Sequence, residues 1–323
     1  MIHPELRTRG TLIRLFWPCF TLWRIRLCNV LLNTFGKGHA FTKKVLYEQV
    51  FVPRGDGSRL RLCVYTPKQR REAVPGLLWI HGGGYALGIP EQDYHFAQRF
   101  IEASGCMVVA PDYTRSMDRP YPAALDDCYL ALLWLKDHGA EYGVRTDQLF
   151  VGGNSAGGGL TAAISEYARD RGEVSIAFQM PLYPMLDDRM ITESSQGNDA
   201  PVLSSRSCLI AWRQYLGKLH GTDDVPKYAA PARETDCSGI PPTLTFVGDI
   251  DPFRDETLQY VQALKNEGVD VFFQLFDGCF HAFDLLKSSV SQYAIDFLMA
   301  GFSYAVEHYT KEQPTGQMDD FSL

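Results

Sequence analysis

The chain has 323 residues, 46% of them hydrophobic and 21% charged, which excludes a mainly disordered, collagenous or multispan protein. At that length it can bury roughly three quarters of its extended surface in one large domain or two small ones. With 31 basic against 38 acidic side chains the net charge is −7, and no basic run offsets it, so non-specific nucleic-acid binding is excluded. The 8 cysteines (19, 28, 63, 106, 128, 208, 237, 279) form no CxxC pair and read as free thiols in a reducing compartment.

The segment TLIRLFWPCFTLWRIRLCNVLLNTF (11–35) is rich in Leu, Phe and Trp, but Arg14, Arg24 and Arg26 interrupt it. Its apolar run of nine residues between Arg14 and Arg24 is too short to span a bilayer, Pro18 divides it, and no small-residue cleavage site follows. Two readings stand: amphipathic helices packed on the body of the protein, which we favour, and an interfacial membrane contact. Both predict no stable membrane insertion, and the favoured one a soluble cytoplasmic chain.

Next, VLYEQVFVP (45–53) and RLRLCVYTP (59–67) read as partly alternating strands joined by the turn residues RGDGS, an antiparallel hairpin. Apolar runs follow at 75–80, 105–113, 148–153, 174–183, 242–249 and 269–278. Strands without alternation imply cover on both faces, as in a parallel sheet. Helix-like stretches at 91–103, 121–138, 156–171, 254–267 and 282–305 separate them. The pattern predicts a doubly wound α/β domain with its site at the carboxyl ends of the strands. Residues 185–240 lack a clear strand and hold a Trp/Tyr-bearing helix near 205–217, so they read as an inserted lid. The polar end EQPTGQMDDFSL reads as frayed.

Three places carry chemistry. Gly153-Asn154-Ser155-Ala156-Gly157 fits the G-x-S-x-G nucleophile elbow, at the end of one strand and the start of a helix whose N-terminus favours an anion. His81-Gly82-Gly83-Gly84 follows another strand; its glycines let backbone N–H groups face a developing oxyanion, with Gly82, Gly83 and Ala156 as donors. We read His81 as an organiser of that loop rather than as the base. A hydroxyl nucleophile needs a base and an orienting carboxylate. His281 is the histidine that lies after a late strand, whereas His3, His39, His138 and His220 show no partner pattern and His95 lies inside a helix. Asp251 lies just past the strand 242–247 and completes the order Ser155, Asp251, His281; Asp249 and Asp255 compete with it, as a strand terminator and a first-turn helix acid respectively.

With these residues placed, the chain resembles the hormone-sensitive-lipase branch of the α/β-hydrolases, the HGGG esterases, over about 40–305. HGGGYALG (81–88), YPAALDD (121–127), GGNSAGGGL (152–160), DPFRDE (251–256) and GCFHAF (278–283) fall in family order. The resemblance implies an eight-stranded, mostly parallel sheet in a single domain, with a cap built from about 1–40 and the insertion at about 185–240. It implies a serine carboxylesterase acting on short- to medium-chain acyl esters, without metal or organic cofactor, and leaves a homodimer open. Three positions depart from the family pattern: Asn154 where an acidic residue is common, Tyr113-Thr114-Arg115-Ser116-Met117-Asp118 where Y-R-L-A-P-E is usual, and Ala282 where glycine usually follows the histidine. Asn154 and the altered 114–118 stretch motivate a competing reading, a binding protein on the same scaffold; receptors on this fold lose catalysis by altering the triad, so the intact triad argues against it. Tyr85, Phe16, Trp17, Trp23, Tyr183, Trp212 and Tyr215 are the aromatic candidates for selecting substrate.

Overall fold

The protein is described by a computed structural model covering residues 1–16, 20–39, 41–69 and 71–314. Trp17, Pro18, Cys19 and the end of the polar C-terminal stretch lie outside the described residues.

Eight strands form one sheet: β1 (Val45–Pro53), β2 (Arg59–Pro67), β3 (Val74–Ile80), β4 (Met107–Pro111), β5 (Val144–Asn154), β6 (Phe178–Leu182), β7 (Thr243–Gly248) and β8 (Val271–Phe276). Their spatial order is β1-β2-β4-β3-β5-β6-β7-β8. The hairpin pairs Val45 with Pro67 and Pro53 with Arg59, and β2 is antiparallel to both its neighbours; every pairing from β4 to β8 is parallel. The continuous apolar runs have their cause in this arrangement, because β3 and β4 are buried along their whole length.

Side chains alternate between the sheet's two faces. Leu78 and Ile80 pack with Val109 and Val151 beneath α4 (Ala123–His138) and α5 (Ala156–Arg171). Leu77 and Trp79 pack with Val108 and Phe150 beneath α3 (Tyr94–Ser104) and α8 (Ser289–His308). Two helix starts differ from the sequence pattern. A 3-10 turn at Pro90–Asp93 precedes α3, and α8 begins at Ser289 instead of 282. Ala282 takes a left-handed φ of 55°, a 3-10 turn occupies Phe283–Leu285, and the Ser288 hydroxyl caps the helix by accepting from the Ser291 N–H.

The N-terminal helices α1 (Pro4–Phe16) and α2 (Leu22–Phe35) pack on the body through Leu6, Gly10, Ile25 and Asn29. A Cβ on Gly10 would meet the Phe280 ring, which shows how closely α1 lies against the segment beyond β8. Between β6 and β7 the chain forms α6 (Ser205–Leu216) and no strand. The Phe20 N–H donates to Ser207 Oγ at 3.0 Å, which ties the α1–α2 connection to α6. A Cβ on Gly84 would meet Ala211 of α6 and the Phe20 ring, so both lie over the glycine loop after β3. Among the described residues no helix is long and apolar enough to cross a membrane.

Candidate active site

Ser155 stands between β5 and α5 with φ 57° and ψ −120°, a conformation that costs a non-glycine residue on the order of 1–3 kcal/mol. The neighbouring glycines matter for a different reason. A Cβ on Gly157 would collide with the carbonyl oxygens of Ile80 and His81, and one on Gly153 with those of Ile80 and Gly157. Glycine is required there for close approach of backbone to backbone, while the positive φ falls on the serine itself.

Ser155 Oγ is 2.8 Å from His281 Nε2, and His281 Nδ1 is 2.8 Å from Asp251 Oδ2. A carboxylate only accepts, so Nδ1 carries the imidazole proton and Nε2 is left to accept the serine hydroxyl. Asp251 is fully buried, and its Oδ1 accepts the Phe253 N–H at 2.9 Å, which fixes the carboxylate plane. The competing acids lie elsewhere. Asp255 accepts from Arg254 Nε at 2.7 Å and from the Ser194 N–H at 2.8 Å, and Asp249 lines a separate cleft with Met1, Ile2 and Arg14. Among the other histidines, His138 does have a partner: its Nδ1 lies 2.8 Å from Glu141 on the surface.

The glycine loop is held by its carbonyls. Tyr113 Oη donates to His81 O at 3.1 Å, and Gly82 O lies 2.8 Å from His81 Nδ1 and 3.3 Å from Gln92 Nε2. A trans peptide points its N–H opposite to its C=O. The N–H groups of Gly82 and Gly83 are therefore turned away from those anchors, on a loop that lines the same cavity as Ser155. His81 is buried, stacks on Tyr113 with centroids 4.3 Å apart, and burial depresses its pKa to about 4, so it stays neutral and serves the loop. Arg115 donates to Gly88 O and the Ser116 N–H to Tyr85 O, which shows how the unusual 113–118 stretch braces the loop. Asn29 of α2 adds a clamp: Nδ2 donates to Ala86 O at 2.8 Å and Oδ1 accepts the Gly88 N–H at 3.2 Å.

Two buried acids flank the relay. Asp93 accepts from Trp79 Nε1 at 3.0 Å and Asn154 Nδ2 at 2.9 Å, and burial raises it to about 6. The amide at position 154 thus donates to a carboxylate, where an acidic residue would repel it. Asp284, raised by burial to about 7, accepts from Tyr183 Oη at 3.2 Å beside the His281 ring. A third acid, Glu256, accepts the N–H groups of Leu186 (2.7 Å) and Asp187 (3.3 Å) and so fixes the segment that follows β6. Ala282, beside His281, pays the left-handed cost that glycine would avoid.

The cavity over Ser155 has a volume of about 140 Å³, with walls from Phe20, Tyr183, Met185, Leu203, Phe253 and Leu285. Of the aromatic candidates, Tyr183 lines it. Tyr85, Trp212 and Tyr215 are buried and pack together, Tyr85 stacking on Tyr215 with centroids 3.8 Å apart. Phe16 and Trp23 face outward, 74% and 62% exposed, so neither selects substrate from within the cavity. The wall residue Phe20 and the clamps Asn29 and Asp93 carry no local signal that singles them out, and Phe253 and Glu256 fall in the DPFRDE segment, which assigns them no role.

The profile of the alpha/beta hydrolase fold family matches residues 77–285. The chain is 32% identical over 216 residues to Esterase LipI of Mycobacterium tuberculosis, covering 67% of each protein. It is 33% identical over 213 residues to Carboxylesterase NlhH of the same species, covering 64% of this chain and 66% of that one. Among solved structures it is similar to a bacterial heroin esterase, with a TM-score of 0.85, 32% identity, and coverage of 94% of this chain and 98% of that one. It is also similar to a hyperthermophilic esterase from Pyrobaculum calidifontis, with a TM-score of 0.80, 28% identity, and coverage of 94% and 98%.

Proposed function

The chain belongs to the α/β-hydrolase family and is a carboxylic ester hydrolase of its hormone-sensitive-lipase branch, and from that premise we propose that it cleaves short- to medium-chain acyl esters through an acyl-serine intermediate. The observation that carries the reading is the continuous relay Ser155–His281–Asp251, with both links at 2.8 Å, opening into a cavity of about 140 Å³. That volume is well under the roughly 300–1,000 Å³ of pockets for drug-sized ligands, which favours a small acyl group.

In the proposed cycle Ser155 Oγ attacks the ester carbonyl carbon as His281 Nε2 takes its proton. The resulting oxyanion accepts from the N–H groups of Gly82, Gly83 and Ala156, each donor contributing on the order of 3 kcal/mol to the transition state. The imidazolium, balanced by Asp251, protonates the departing alkoxide oxygen, and the acyl group stays on Ser155. Water then gives a proton to His281 and attacks the acyl carbon; collapse of the second tetrahedral intermediate returns the proton to Ser155 and releases the acid. Every proton that leaves Oγ is accounted for at Nε2.

The test is Ser155→Ala with p-nitrophenyl acetate and butyrate as substrates, beside mass spectrometry after treatment with a fluorophosphonate. We expect turnover to fall to background and the phosphonyl adduct to sit on Ser155 in the wild type. Near-wild-type turnover in the variant refutes the assignment, and saturable ligand binding without an acyl adduct would turn the protein into a binder on a hydrolase scaffold.

A further inference from the structure

Charge is unevenly spread along this chain. Residues 1–44 hold eight basic side chains and one acidic, a net of +7, whereas the remainder holds 23 basic and 37 acidic, a net of −14. The basic end is also the apolar surface. Leu15, Phe16, Trp23, Leu27, Val30 and Phe35 are each at least half exposed, on the sides of α1 and α2 opposite the packed positions Leu6, Gly10, Ile25 and Asn29. Cations are interleaved with them. Arg14, Lys37 and Lys44 pair with Asp199, Asp112 and Glu102. Arg9 donates to the Lys287 carbonyl within reach of the Glu5 carboxylate, Arg7 donates to the neutral Met1 sulfur, and Arg26 is exposed between Trp23 and Val30.

We propose that the outward face of α1 and α2 docks on an anionic lipid surface. An exposed apolar stripe on a helix settles at the boundary between headgroups and acyl chains, Trp is at home there, and arginines at the stripe's edge reach lipid phosphates. Charge argues against a second copy as the occupant, since a two-fold contact through this face would set two basic ends against each other. The docked orientation also suits an esterase. Phe20 follows α1, precedes α2 and forms part of the cavity wall, so a bilayer beneath these helices would lie next to the cavity. Apolar esters concentrated in the lipid would reach Ser155 without crossing bulk water. The docking argument uses the helices alone and stands independently of the acyl-serine cycle.

The experiment is sedimentation of the full-length protein with vesicles of phosphatidylcholine alone, or with roughly one third phosphatidylglycerol, at low and high salt. Two double variants accompany the wild type, Trp23→Ser with Leu27→Ser and Arg7→Glu with Arg26→Glu. We expect wild-type protein to co-sediment with the anionic vesicles at least about tenfold better than with the neutral ones, and high salt to reverse it. Each double variant should lose about tenfold or more of that binding while hydrolysing soluble p-nitrophenyl butyrate within about twofold of wild type. The charge-reversed variant touches only exposed side chains, so it keeps the test decisive if the apolar variant folds poorly. Absence of co-sedimentation, or equal binding to both vesicle types, overturns the proposal. So does a dimer in analytical ultracentrifugation that the Trp23 and Leu27 changes dissociate without any vesicle binding.

Discussion

Replacing Asn29 by Leu tests whether the N-terminal helices position the proposed oxyanion donors or only cover them. Asn29 is buried on α2, and its amide makes two bonds to the return of the glycine loop, at Ala86 O and Gly88 N. Leu keeps the branched shape but strands both backbone groups, at about 1–3 kcal/mol each, or roughly 2–6 kcal/mol together. For a chain of 323 residues that lowers the thermal midpoint by about 5 °C. Catalysis should suffer as well, because the loop is a closed turn in which the N–H groups of Ala86 and Leu87 both donate to Gly83 O. Freeing its far side loosens the peptide that carries the Gly83 N–H. Losing one such donor outright is worth on the order of 3 kcal/mol, so partial misplacement should lower kcat by up to about a hundredfold, with KM for p-nitrophenyl acetate little changed. The control is Asn33→Leu, an exposed position on the same helix, which should alter neither midpoint nor rate. An unchanged kcat in Asn29→Leu, alongside the expected fall in midpoint, would refute a positioning role and reduce Asn29 to a structural clamp.

Asp251→Asn should lower kcat by about 10⁴-fold, since the amide neither fixes the imidazole tautomer nor balances the imidazolium, whereas Asp255→Asn should act mainly on the anchoring of Ser194 and Arg254. Steady-state kinetics of the two variants side by side check this, and an inactive Asp255 variant with an active Asp251 variant would move the acid role. Asp93 gives a pH prediction. Its carboxyl is raised by burial from 3.8 to about 6, so the folded protein takes up that proton before the unfolded chain does. The ionisation penalty is present above pH 6 and is relieved as pH falls through 6 towards 4, a contribution of up to about 3 kcal/mol in favour of the acid side. Asp93→Asn should therefore gain more stability relative to wild type at pH 7 than at pH 5 in parallel thermal or urea melts, and an equal difference at both pH values would contradict the assignment.

The local sequence was enough wherever the requirement is itself local. A strand covered on both faces is mostly apolar, and β3, β4, β6, β7 and the buried half of β5 are readable for that reason. The elbow at Ser155, the triple glycine after His81 and the order of Asp251 and His281 at successive strand ends are likewise written in a few adjacent residues each. Position just beyond the strand and chain order favour Asp251 over Asp249 and Asp255; the structure brings Asp251 to His281 because the loop after β7 and the loop after β8 meet across a parallel pair. Other features were invisible along the chain. Asn29 meets Gly88 across 59 positions, Asp93 meets Asn154 across 61, and Glu256 meets Leu186 across 70. Periodicity and turn propensity report how a segment folds on itself, but a side chain's partner on another element depends on how helices and sheet pack. The same limit decided the aromatics: Phe16, Trp23 and Phe20 belong to one apolar stretch, and only the docking of α1 and α2 on α6 and the strand-end loops sent Phe20 to the cavity and turned the other two outward.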